Sequence, residues 1–182
     1  MTYLPPVVQV LLALLVVTAA VYDLRFRRIP NWLVLCGLFL GFALNVLLYE
    51  LSGLRLSGLG MGLALLVYFP LYLVRAMGAG DVKLMAAVGA IVGPWNWLGI
   101  FFISALLGGV IAVVRLLGRG RWLKTLSNIA YMLKELAYLR PPYLKEEELD
   151  VNSPKAVTLP HGSVVAVGAL GFLIAAAIWA PR

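Results

Sequence analysis

One cysteine and one histidine occur among the 182 residues of this chain. Cys36 has no second thiol with which to form an intrachain disulfide or a Cys-x-x-Cys metal knuckle, so a disulfide scaffold and a zinc ribbon are both excluded. Charge is equally scarce. Asp, Glu, Lys and Arg make up 13% of the residues, against about 25% in ordinary globular chains. The apolar set AVILMFWYC accounts for 63%, so too little polar surface remains to cover a water-facing exterior, and the solvent for most of the chain is lipid. A cleaved secretory leader does not fit the first apolar run, because no Lys or Arg precedes it and the basic cluster lies after it.

What is present is a series of long apolar runs. A helical crossing takes about 20 residues, so six of them use about 120 and leave room for one polar loop. The runs cover 4–22, 32–49, 56–74, 84–93, 98–117 and 163–180. The fourth is short and crosses only if the residues around Asp81 extend its helix; Pro94-Trp95-Asn96-Trp97 reads as the turn after it. The loop covers about 118–160, where eight of the fifteen basic residues lie between Arg115 and Lys155. Within it Trp122, Leu126, Ile129, Leu133 and Leu136 recur at steps of four and three, predicting an amphipathic helix over 121–140 on the membrane surface. The expected fold is thus all-α: one integral-membrane domain over 1–182, a bundle of six transmembrane helices, with a cytoplasmic amphipathic helix between spans five and six.

The formal charge of +7 reports topology here rather than nucleic-acid binding. Placing the turn at 25–28, the segment at 75–83 and the loop on one side collects 13 of the 15 basic residues, leaving Arg55 and Arg182 opposite. The positive-inside rule makes that side cytoplasmic and puts both termini outside. Gly37/Gly41, Gly58/Gly62 and Gly89/Gly93 each form Gly-x-x-x-Gly within a run, a spacing that lets helix backbones approach closely.

Eight acidic residues remain to be placed. Five belong to the polar loop, Glu50 lies at the outer end of the second run, and Asp23 and Asp81 mark cytoplasmic ends of the first and fourth. Although 58 positions separate these two aspartates, the topology brings them to one membrane level. A carboxylate at that depth usually faces the bundle interior and serves a partner, a substrate or a proton path. Two carboxyls held together share a proton, so one acts as base while the other acts as acid. Such a pair can activate water against an amide carbonyl without metal or covalent intermediate. The plain alternatives are that Asp23 ends a helix or pairs with Arg27, and that Asp81 caps the fourth helix. Gly78 and Gly80, on either side of Ala79, are either a flexible turn or a place where a substrate backbone approaches Asp81. Asn31 is expected to cap the second helix, with Pro30 fixing its start, and Lys83 to anchor the topology beside Asp81.

The two stretches Asp23-Leu24-Arg25-x-x-Arg28-Ile29-Pro30-Asn31 and Gly78-Ala79-Gly80-Asp81-Val82-Lys83-Leu84 resemble those of the type IV prepilin peptidases, membrane aspartic proteases of the Gly-x-Gly-Asp kind. The resemblance covers nearly the whole chain, through Pro160-His161-Gly162 before the last run. It implies that Asp23 and Asp81 are the catalytic pair, with Gly78, Gly80, Lys83, Pro30 and Asn31 in support. It further implies a peptidase that cleaves the short basic leader of prepilin or pseudopilin precursors, typically after a glycine, at the cytoplasmic face of the inner membrane. Bifunctional members carry two Cys-x-x-Cys pairs and also methylate the new N-terminus. A single cysteine therefore predicts a peptidase with no metal or cofactor and no methyltransferase activity, similar to the short forms found with tight-adherence (Flp) pili and some secretion systems. An archaeal preflagellin-type peptidase is the neighbouring alternative. A proton-coupled carrier is the alternative of another class, although it favours carboxylates near the bilayer midplane. The family more often has Tyr or Phe where His161 stands, and no role is assigned to it.

Overall fold

The computed structural model describes residues 4–73, 75, 77–119 and 161–179. All regular structure there is helical: α1 (Pro6–Phe26), α2 (Asn31–Leu73), α3 (Ala79–Arg119) and α4 (His161–Trp179). All four are long and apolar enough to cross a membrane. The surface helix expected over 121–140 and the polar loop lie outside the described residues, apart from the end of α3.

Two of these helices double back. In a continuous α-helix residues twelve apart are about 18 Å apart, yet the Asn45 side-chain amide donates to Ser57 Oγ at 2.9 Å across that same spacing. The chain folds at Glu50, whose φ of 54° and ψ of −131° are non-helical, leaving α2 as two arms over 31–49 and 51–73. The fold in α3 is at Gly93 (φ 76°, ψ 173°), where the Trp97 indole N–H reaches back to the Met85 carbonyl at 3.1 Å. Pro94 then occupies the first position of the new arm, where its missing N–H and fixed φ are no handicap. The sequence placed a turn over 94–97; the reversal is confined to Gly93, and 94–97 are helical.

The starts and stops of the helices set the level of the site. Asp81 and Val82 donate their amide N–H groups to the Gly78 carbonyl, so Gly78 caps α3 and Asp81 stands in its first turn, where the helix dipole favours an acidic side chain. Asp81 is not the cap. The first arm of α3 thus gains Ala79 to Lys83 and runs over 79–92, about 21 Å. Asn31 does not cap α2 either: the Pro30 carbonyl accepts from Leu33 and Val34, which puts Asn31 one place inside. Helix α1 ends at Arg27, in the left-handed region (φ 54°) with its N–H on the Asp23 carbonyl.

The first arm of α3 is the axis of the molecule. Every residue from Leu84 to Gly93 is buried, and Ala, Val and Gly predominate, so neighbouring backbones come close. Helix α2 packs most extensively on α3, while α4 packs on both α1 and α3. A Cβ on Gly60 would collide with the Gly89 carbonyl, and one on Gly41 would meet the Ile91 amide N at 3.2 Å. The glycine expectation is corrected in one respect: Gly58 and Gly62 face open space, and Gly60 between them makes the contact. The outer surface is apolar, with Leu47 81% and Phe39 73% exposed. Such a continuous apolar exterior suits lipid and not water. Cys36 lies on this exterior.

Candidate active site

Four polar side chains, one from each helix, gather at one end of the bundle. Asp23 comes from the last turn of α1 and Asp81 from the first turn of α3; Tyr68 lies near the end of α2, and His161 is the first residue of α4. Asp23 is only 8% exposed and Tyr68 only 3%. The charge of Asp23 acts on Asp81 and on His161, and that of Asp81 acts on Tyr68. The Tyr68 and His161 rings are 6.3 Å apart, centroid to centroid. Tyr68 is held in turn by edge contacts with Trp97 at 6.1 Å and Phe101 at 5.9 Å.

Glycines make room around the carboxylates. A Cβ on Gly162 would lie 3.0 Å from Asp23 Oδ2 and 3.1 Å from its Cβ, so α4 begins directly against the Asp23 side chain. A Cβ on Gly78 would lie 3.5 Å from Asp81 Oδ2, and one on Gly80 would lie 3.4 Å from the Ile29 Cβ. The segment before α2 therefore sits on Gly80. Gly78 and Gly80 stand at the start of a helix, whose first amides donate to the Gly78 carbonyl, rather than forming a loose turn.

The polar accounting is unusual. Among the described residues, four buried side-chain atoms lack a hydrogen-bond partner: Asp23 Oδ2, His161 Nε2, Ser163 Oγ and Ser104 Oγ. Buried polar groups are nearly always paired, so each orphan calls for an explanation. Three of the four belong to Asp23 or to the first three residues of α4. The pairing of Asp23 with Arg27 raised by the sequence is not formed at Oδ2, and Arg25 instead stacks its guanidinium over Phe26 at 5.6 Å.

Lys83 and Asn31 also meet, though not over the carboxylates. The Lys83 ammonium donates to Asn31 Oδ1 at 3.1 Å on the exposed side, tying the start of α2 to the first turns of α3. Pro30 supplies the capping carbonyl for that start. Sequence reasoning missed Tyr68, which carries no signal beyond a hydroxyl within an apolar run, and it left His161 without a role.

A helical membrane protein with two carboxylates brought together from remote parts of the chain is the class that fold and site define. The type IV leader peptidase family model matches residues 10–113, more than half of the chain and a stretch that holds both aspartates, and the chain belongs to that family. It is also 35% identical over 124 residues to the prepilin leader peptidase/N-methyltransferase of Escherichia coli (strain K12), covering 64% of this chain and 53% of that protein. The chain thus spans about half the length of this curated relative. No solved structure matches it.

Proposed function

We propose that this chain is an aspartic endopeptidase that removes the basic leader of type IV prepilin-like precursors, the Flp pilins or type II secretion pseudopilins, at the cytoplasmic face of the inner membrane. The observation that supports the proposal is that Asp23 and Asp81, remote in sequence, lie at one end of the bundle, with Asp81 within reach of the Asp23 charge. Family membership supplies the reaction class.

The chemistry follows from two carboxyls sharing a proton. The ionised member takes a proton from a water molecule, whose oxygen attacks the carbonyl carbon of the scissile peptide. The protonated member donates to the carbonyl oxygen, and a tetrahedral diol forms. Collapse of the diol breaks the C–N bond as a proton passes to the departing nitrogen, and the pair is left sharing one proton again. A peptide inside a helix has its carbonyls engaged, so the leader must enter extended. Gly78, with no side chain of its own beside the Asp81 carboxylate, leaves space for a backbone there, and the apolar exterior receives the substrate's own membrane helix.

In this reading each arm of α2 and α3 crosses separately, giving six crossings with α1 and α4 and both termini outside. Arg25, Arg27, Arg28, Arg75 and Lys83 then stand on the cytoplasmic side with the aspartates. The proposal covers leader removal only. Co-expression with candidate precursors followed by N-terminal sequencing tests it: the expected product begins immediately after the basic leader, and Asp81→Asn leaves the precursor intact. Normal processing by a stably inserted Asp81→Asn protein would sink it.

A further inference from the structure

We infer that His161 and Ser163, in the first turn of α4, form a binding subsite for one backbone peptide unit of the extended substrate beside Asp23. The inference rests on the peptidase reading and deepens it.

Three observations support it. First, His161 Nε2 and Ser163 Oγ are both buried without a hydrogen-bond partner, and so is Asp23 Oδ2. Leaving a buried donor or acceptor unpaired is costly, and three such atoms on Asp23 and one helical turn point to an external partner rather than to scattered defects of packing. Second, the turn is pressed onto the carboxylate. The position a Gly162 side chain would take lies 3.0 Å from Asp23 Oδ2, so whatever His161 and Ser163 bind lies next to the reacting pair. Third, the imidazole packs with its ring 6.3 Å from that of Tyr68, which fixes the place of its unpartnered Nε2.

The orphan set suits a peptide unit, which offers one N–H donor and one C=O acceptor. A neutral imidazole Nε2 either donates or accepts according to its tautomer, and a hydroxyl does both. The Gly162 position admits no side chain because Asp23 fills that space, which holds His161 and Ser163 directly beside the carboxylate. Among the described residues, the titratable groups beside the imidazole are Asp23 from α1 and Tyr68 from α2. Neither is hydrogen-bonded to Nε2.

The test uses the full chain in lipid nanodiscs. The probe is a synthetic precursor with a basic leader, a glycine at the cut and an apolar helix. His161→Phe keeps an aromatic ring and removes the polar nitrogen; it is expected to raise KM about tenfold, the loss of one well-placed hydrogen bond, with kcat changed less than about threefold. His161→Gln restores a polar terminus and is expected to return KM to within about threefold of the parent, and Ser163→Ala is expected to raise KM by a smaller factor than His161→Phe. In parallel, the affinity of the same precursor for the uncleaving Asp81→Asn protein is measured with and without His161→Phe; it is expected to weaken by the same factor. An unchanged KM and affinity in His161→Phe overturns the inference, as does a Gln variant no better than Phe, which would mean that ring shape alone matters. Should His161→Phe fail to insert, Ser163→Ala decides by the same two readouts. Failure of the parent chain to cleave any precursor would overturn the peptidase reading instead, and the affinity arm still reports on the subsite.

Discussion

Asp23 illustrates how far a single residue can be read. Its type and place at the end of an apolar run marked it in the sequence as a costly carboxylate; that its Oδ2 is buried and unpaired is a consequence of α4 arriving from 138 residues further on. Replacing either aspartate by asparagine keeps the shape and removes the exchangeable proton, so Asp23→Asn and Asp81→Asn are each expected to lower the cleavage rate at least about 1,000-fold while insertion is unchanged. Immunoblotting of precursor and mature product beside the amount of inserted enzyme checks this. On the proposed mechanism, with one proton between two carboxyls, the rate should fall both when acid fills the second site and when base empties the first. A bell-shaped kcat/KM profile with two apparent constants belonging to the pair is the expected record, and a flat profile would contradict shared-proton catalysis. Lys83 makes the opposite case. Its bond to Asn31 is exposed, and such bonds contribute about 1 kcal/mol or less, so Lys83→Met should keep cleavage within about fivefold of the parent.

At the scale of the element, the apolar runs were legible but their joints were not. Runs of leucine and valine state that a segment is helical in lipid; they do not state where the backbone reverses. Glu50 reverses α2 with φ 54° and ψ −131°, a conformation that glycine adopts readily and other residues adopt under strain of roughly 1–3 kcal/mol. Glu50→Gly is therefore expected to raise thermal stability in detergent, by about 1 kcal/mol, and a lower melting temperature would show that the carboxylate makes a compensating contact. The glycine spacing shows why a motif needs packing to be read. Gly58 and Gly62 satisfied the pattern and face open space, while Gly60 touches the Gly89 backbone. Gly60→Leu should accordingly abolish a folded bundle, and Gly58→Leu should leave it intact, as size-exclusion profiles of the two proteins would reveal. Asn31 failed as a cap for a related reason: Pro30 had already fixed φ and offered its carbonyl, so the amide side chain was free to accept from Lys83.

At the scale of the whole molecule, α2 and α3 each double back, and the short first arm of α3 sits at the centre with small residues on every side. If each arm crosses the bilayer, maleimide labelling in a Cys36→Ser background should find cysteines at 127 and 153 accessible from the cytoplasm and a cysteine at 52 accessible from outside. The reverse pattern would overturn the orientation drawn from the basic residues. The sequence by itself determined the solvent, because a chain with 13% charged residues cannot hydrate its surface. It also determined the helical class, because lipid leaves backbone groups no other partner, and it marked the two aspartates by residue type and by family resemblance. The tertiary structure alone decided which side chains share the site with them. Tyr68 comes from an apolar stretch with nothing local to distinguish it, and His161, the single histidine, was noted without a role; only the packing of α2 and α4 around the first arm of α3 brings them to the carboxylates. Local pattern sets each helix and its level, whereas its rotation and neighbours follow from close packing across elements, and those are properties of the folded whole.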